Sequence, residues 1–75
     1  MKELLSILEE VKPGIDFNNE KELITDGILD SFDIISIVSA IDEEFDVKIT
    51  AKDIVPENFN SVQAMYNLIR KLEEE

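Results

Sequence analysis

Seventy-five residues with 44% hydrophobic content are expected to fold as one domain with one core. A chain this short buries only about 60% of the surface it exposes when unfolded, too little to wall off a deep catalytic cleft. With no cysteine and no histidine, disulfides, thiolate chemistry, histidine-based zinc sites and imidazole acid–base catalysis are excluded, while eighteen acidic against seven basic side chains leave a charge of −11 that repels nucleic acid and favours proteins with Lys/Arg patches.

Along the chain, Lys2 to Lys12 sets Leu4, Leu5, Ile7, Leu8 and Val11 on one side and Lys2, Glu3, Glu9 and Glu10 on the other, the pattern of an amphipathic first helix. Pro13-Gly14 ends it. The long connection from Pro13 to Asp30 has no comparable period, but Ile15, Phe17, Leu23, Ile24, Ile28 and Leu29 predict an ordered loop that packs across the helix ends, with one short helical turn around Asn19 to Ile24. Gly27 gives the backbone a turn before Asp30 or Ser31, either of which can accept a first-turn amide as N-cap.

From Ser31 to Phe45, the residues Ile34, Ile37, Val38, Ile41 and Phe45 recur at helical spacing and predict the central scaffold helix. Wheel arithmetic puts Ile34, Val38, Ile41 and Phe45 in one sector, Phe32, Ser36, Ser39 and Glu43 opposite it, and Ile35 at the boundary. Phe32 is therefore expected to be exposed, unless its ring folds onto Ile28 or Leu29. Asp46 to Thr50 alternates like a strand but has no partner strand, so an extended connector with Val47 and Ile49 turned inward is expected. Thr50 and Asp53 resemble a cap pair opening a short third helix over Ala51 to Val55, stopped by Pro56. A closing helix follows from Ser61 to Glu73, capped by Asn60 or Ser61, with Val62, Met65, Tyr66, Leu68, Ile69 and Leu72 inward and the last three glutamates frayed at the wrong end of the helix dipole.

On position alone, Ser31 is an ordinary helix cap and the acidic residues around it a solvated face. The alternative is a presented hydroxyl beside a hydrophobic anchor, Phe32, rimmed by Asp30, Asp33, Asp42 and Glu43 for docking basic partners. Asp26, Asp30 and Asp33 lie close in sequence, yet their spacing does not follow a calcium loop with alternating oxygen ligands and a terminal glutamate, so no metal site is expected.

The run Asp26-Gly-Ile-Leu-Asp-Ser-Phe-Asp-Ile-Ile, followed by Ala40-Ile-Asp-Glu-Glu-Phe-Asp-Val-Lys-Ile and Ser61-Val-Gln-Ala, resembles the acyl carrier protein family, including its stand-alone D-alanyl carrier members. The resemblance runs nearly end to end. It implies an all-α four-helix bundle with a short third helix and a long loop between helices 1 and 2. It also implies that Ser31 carries 4′-phosphopantetheine through a phosphodiester, with Asp30 beside it in the attachment motif. A phosphopantetheinyl transferase would install the arm, and loading and transferring enzymes with basic surfaces would meet Phe32, Asp33, Ile35, Asp42 and Glu43. The cargo would be an acyl or aminoacyl group of a fatty-acid, D-alanyl or natural-product pathway, carried as a thioester.

A helix N-terminus suits such a site, because its free amides and positive dipole end tolerate the added anion. The serine is not a catalyst, so the chain is expected to be no enzyme. A fatty cargo would need space lined by Ile35, Val38, Ile49, Ile54, Phe59 and Met65. No signal-like segment or run of about 20 apolar residues occurs, so a soluble cytoplasmic monomer without membrane insertion is expected. A rival reading is a non-enzymatic acidic adaptor that docks a basic partner through Phe32 and the surrounding carboxylates.

Overall fold

The computed structural model describes residues 1–74. Its regular elements are the helices Lys2–Val11 (α1), Ser31–Phe45 (α2), Pro56–Phe59 (α3) and Val62–Glu73 (α4), with a 3-10 turn at Ala51–Asp53, and no strand occurs among the described residues. Helix α1 buries Leu4, Ile7 and Leu8 and stops one residue short of the expected end. Lys12 precedes Pro13, which disfavours helical backbone, and it leaves the helix at φ −140° with its amide still bonded to the Leu8 carbonyl.

The connection to α2 packs as its apolar residues suggest: Phe17, Leu23 and Leu29 are buried and Ile15, Ile24 and Ile28 lean on the core. The helical turn expected over Asn19 to Ile24 is not formed. Asp16 draws the amides of Asn19 and Glu20 to its carbonyl and the Asn19 side chain to its carboxylate at 2.6 Å, while the amides of Ile24 and Thr25 are taken by a distant side chain, Asn60. Gly27, at φ +73°, makes the turn into α2 in a region that costs an L side chain strain.

Helix α2 has the bounds that its period predicts, and its buried line is Ile34, Ile37 and Ile41. Val38 and Phe45 are only partly covered, so the inward face centres on Ile37 rather than on the Val38 side. Asp46 ends α2 in the left-handed conformation at φ 54°, and the chain then runs extended with Ile49 buried and Val47 half-buried. The Ile49 amide donates to Asp42 Oδ1 at 3.0 Å, which satisfies a connector that has no strand to pair with.

The expected third helix over Ala51 to Val55 shortens to the 3-10 turn, and the short α-helix itself starts where a stop was expected. Pro56 occupies the first helical position, where its missing N–H is no loss because that amide has no intrahelical acceptor anyway. Phe59 from this helix is almost fully buried. Ser61 then caps α4, its Oγ accepting the Ala64 amide at 3.1 Å. α4 stays helical through Glu73, with Arg70 and Lys71 in its last turn and Arg70 hydrogen-bonded to Tyr66 and ion-paired with Glu73; of the three glutamates expected to fray, Glu73 is helical, Glu74 is the C-cap and Glu75 lies outside the described residues.

Helix α1 packs against α2 and α4, and α3 packs against α4, around a shared apolar cluster. The radius of gyration is 11.1 Å, what a compact chain of this length shows at about 11 Å. No buried side-chain nitrogen or oxygen among the described residues lacks a hydrogen-bond partner, so the core contains no polar feature calling for a ligand.

Candidate functional site

The first turn of α2 decides which residue caps and which is left free. Asp30 is the N-cap, with extended backbone, and its Oδ1 accepts the Asp33 amide at 2.9 Å. Asp33 returns the bond, its Oδ2 accepting the Asp30 amide at 3.1 Å. This reciprocal capping box satisfies two amides and leaves Ser31, at the first helical position, outside the capping bonds. Ser31 is exposed.

Lys12 Nζ donates to the same Asp33 Oδ2 at 3.1 Å and ties the end of α1 to the start of α2. The Asp30 backbone N–H, and after it the Lys12 ammonium, hold the Asp33 carboxyl below the usual carboxylate range. Sequence reading missed Lys12, because its partner is 21 residues away and no local pattern links them.

Ser31 and Asp30 line a cavity of about 300 Å³ whose remaining walls are Ile24, Leu29, Ile34, Ile35 and Ile54. Of the six residues expected to line an apolar space, only Ile35 and Ile54 do so. Ile49, Phe59 and Met65 are buried in the core and Val38 packs against it. The cavity forms at the head of α2 because the loop before it supplies Ile24 and Leu29, residues whose apolar character was legible but whose position depends on long-range bonds.

The remaining candidates separate by geometry. Phe32 is 79% exposed and Ile35 62%, so the ring is not covered by Ile28 or Leu29 and both side chains stay open to solvent, Ile35 at the edge of the cavity. Glu43 is exposed on that helix as well. Asp33 and Asp42 are only partly exposed, and their carboxylates already accept bonds from within the chain, Asp33 from Lys12 and the Asp30 amide and Asp42 from the Ile49 amide. Ser6, Ser36 and Ser39 are exposed too, but they sit inside helices, where the backbone amides are used, and Ser61 is engaged as a cap.

A phosphodiester on Ser31 Oγ fits these surroundings. The amides of the first turn have no intrahelical acceptor beyond those that Asp30 and the Asp30 carbonyl take, and the dipole end is positive. The negative charges of Asp30 and Asp33 oppose a further anion, and the Lys12 ammonium offsets one of them. Beside the hydroxyl, carbon walls offer an aliphatic chain cover from water. Among the described residues no group of three His, Cys, Asp or Glu side chains is placed to hold a metal ion, and no helix is long and apolar enough to cross a membrane.

Comparison with known proteins gives the same direction. A family model described as a phosphopantetheine attachment site matches residues 2–69. The acyl carrier protein of Buchnera aphidicola is 40% identical over 53 residues, covering 71% of this chain and 65% of that protein. Aminoacyl carrier protein 1 of Bradyrhizobium diazoefficiens is 30% identical over 69 residues, covering 92% of this chain and 76% of that protein. With a family model spanning nearly all of the described helices and a capped helix head that leaves one serine free, this chain belongs to the phosphopantetheine attachment site family.

Proposed function

We propose that Ser31 is the residue that bears the 4′-phosphopantetheine arm and that the chain carries acyl or aminoacyl groups between partner enzymes without itself catalysing a reaction. The observation that supports this most directly is the exposed Ser31 at the first position of α2, relieved of capping by Asp30 and bordering an apolar cavity, in a chain matched to the attachment model over residues 2–69. The arm, once attached, supplies the thiol that a sequence without cysteine does not encode, and cargo is joined there as a thioester.

In attachment, Ser31 Oγ bonds to the pantetheine-side phosphorus of coenzyme A as the bond from that phosphorus to the departing 3′,5′-ADP breaks. The hydroxyl proton passes to a base of the transferase, since the chain has no histidine to take it. Asp30 and Asp33 lock the turn so that the oxygen is held in one place on a rigid element. Phe32 and Ile35 offer apolar contact to a partner enzyme, and Glu43 with the general negative field favours a basic docking surface. Asp33 and Asp42 contribute charge to that field while their oxygens serve the fold.

The two relatives bear the names acyl and aminoacyl carrier protein, and both cargo classes are compatible with a cavity of about 300 Å³ open beside Ser31. The test is intact-mass spectrometry after incubation with coenzyme A and a broad-specificity phosphopantetheinyl transferase. The wild-type chain should gain one phosphopantetheine mass and Ser31→Ala none. Equal gain by the variant would overturn the assignment. The 79% exposure of Phe32 favours, as a second reading, an adaptor that docks a basic protein through this ring. That reading requires no mass gain by the wild type, together with partner binding that survives Ser31→Ala and is lost in Phe32→Ala.

A further inference from the structure

Three apolar walls of the cavity beside Ser31, Ile24, Leu29 and Ile54, come from segments that no helix holds, and the first and last of them are far apart in the chain. Ile24 belongs to the connection before α2, and Ile54 follows the 3-10 turn. Both are fastened by asparagines from α3 and the residue after it. Asn58 Nδ2 donates to the Asp53 carbonyl at 2.9 Å, next to Ile54.

Asn60 makes four bonds to three consecutive residues. Its carbonyl accepts the Leu23 amide at 2.9 Å, its Oδ1 accepts the amides of Ile24 at 2.8 Å and Thr25 at 3.0 Å, and its Nδ2 donates to Thr25 Oγ1 at 3.0 Å. The Leu23 carbonyl in turn accepts the Leu29 amide at 3.0 Å, so the chain of bonds reaches the residue before the Asp30 cap. Other backbone bonds of this segment are local, from Asp26 to Glu22 and from Gly27 to Ile24. The carboxamide does this with Oδ1 accepting the two amides and Nδ2 donating to the hydroxyl, and a carboxylate in its place would keep the acceptors while the hydroxyl turned to donate to it.

From this we infer that Asn60 is a positioning residue for the cavity: beside the backbone bond to Leu23, its carboxamide latches residues 24 and 25 to the α3–α4 junction so that Ile24 stands as a wall beside Ser31, and releasing the latch opens that wall to water. The latch is independent of what Ser31 bears. What it would shelter, the apolar part of an arm or cargo, rests on the reading of Ser31 given above.

The test uses the full unmodified chain and the neutral apolar fluorophore N-phenyl-1-naphthylamine, which the −11 charge does not repel. Asn60→Ala should weaken fluorophore binding about tenfold and speed amide exchange at Ile24 and Thr25 about tenfold, with exchange at Met65 and Ile69 changed less than about twofold. Asn60→Asp keeps the acceptor oxygens and should stay within about threefold of wild type in both measurements. Ile24→Ala should weaken the fluorophore as much as Asn60→Ala does, and the double variant no further, because one acts through the other. Should Asn60→Ala not fold, Thr25→Val, which removes only the hydroxyl partner, should still shift both measurements in the same direction.

Absence of saturable fluorophore binding to the wild type would overturn the latch. So would additive effects in the double variant, or exchange that rises equally at Met65 and Ile69. Phosphopantetheine addition measured by mass on the same wild-type sample separates the two ideas: no addition sinks the reading of Ser31 and leaves the latch standing, whereas a failed latch leaves the attachment untouched.

Discussion

Asp33 does two things with one oxygen, accepting the Asp30 amide and the Lys12 ammonium at 3.1 Å each. Both bonds are stronger to the ionised form, so its carboxyl is held below the ordinary value in the folded chain and returns to that value on unfolding. A depressed folded value makes the contribution to stability fully present above about pH 4 and lost as pH falls through the folded value. Asp33→Ala should therefore lower stability by roughly 1 kcal/mol at neutral pH, the usual cost of a lost cap. In thermal melts, the gap between variant and wild type should narrow below about pH 4, and a gap that stays constant down to pH 3 would refute the account. Asp30, Ser31 and Gly27 were legible in the sequence because capping and turn chemistry is local. Lys12 and Asn60 were not, since their partners lie 21 and 35 to 36 residues away and only the packed fold brings them together.

Among the elements, α2 was read to the residue because its period and its cap agree. The third helix was misplaced for a single reason. Proline stops a helix, the role the sequence suggests for Pro56, but it is equally suited to a start, and with only four residues in α3 no period exists to decide between them. The connection before α2 packs as its apolar residues suggest but is not helical over Asn19 to Ile24, since the Asn60 side chain takes the amides of Ile24 and Thr25 that a helical turn would have used. The end of α2 offers a stability test. Asp46 is a non-glycine residue in left-handed backbone at the negative end of a helix that has no basic side chain in its last turn. Asp46→Gly should raise stability by about 0.5–1 kcal/mol by relieving the backbone and removing the charge. Urea unfolding measures it, and Asp46→Asn, which removes only the charge, should recover a smaller part. An unchanged midpoint for the glycine variant would show that Asp46 is not strained.

For the molecule as a whole, the charge of −11 sits on a body of 31 × 23 × 20 Å. At 0.01 M salt the screening length is about 30 Å, so nearly every carboxylate repels every other, while at 0.15 M it is about 8 Å and only neighbours do. The melting temperature should rise over that interval, and a flat or falling response in thermal melts would show that repulsion does not limit the fold. The core itself was largely legible, because its residues come from helical periods and an apolar loop that burial alone brings together. The cavity was not, because its walls are set by bonds between loops. The exposed ring of Phe32 gains a meaning at this scale. Two copies of the chain that tried to cover their rings against each other would have to press two like-charged bodies together, a penalty that a cationic surface docking on the ring, as proposed above, would not meet.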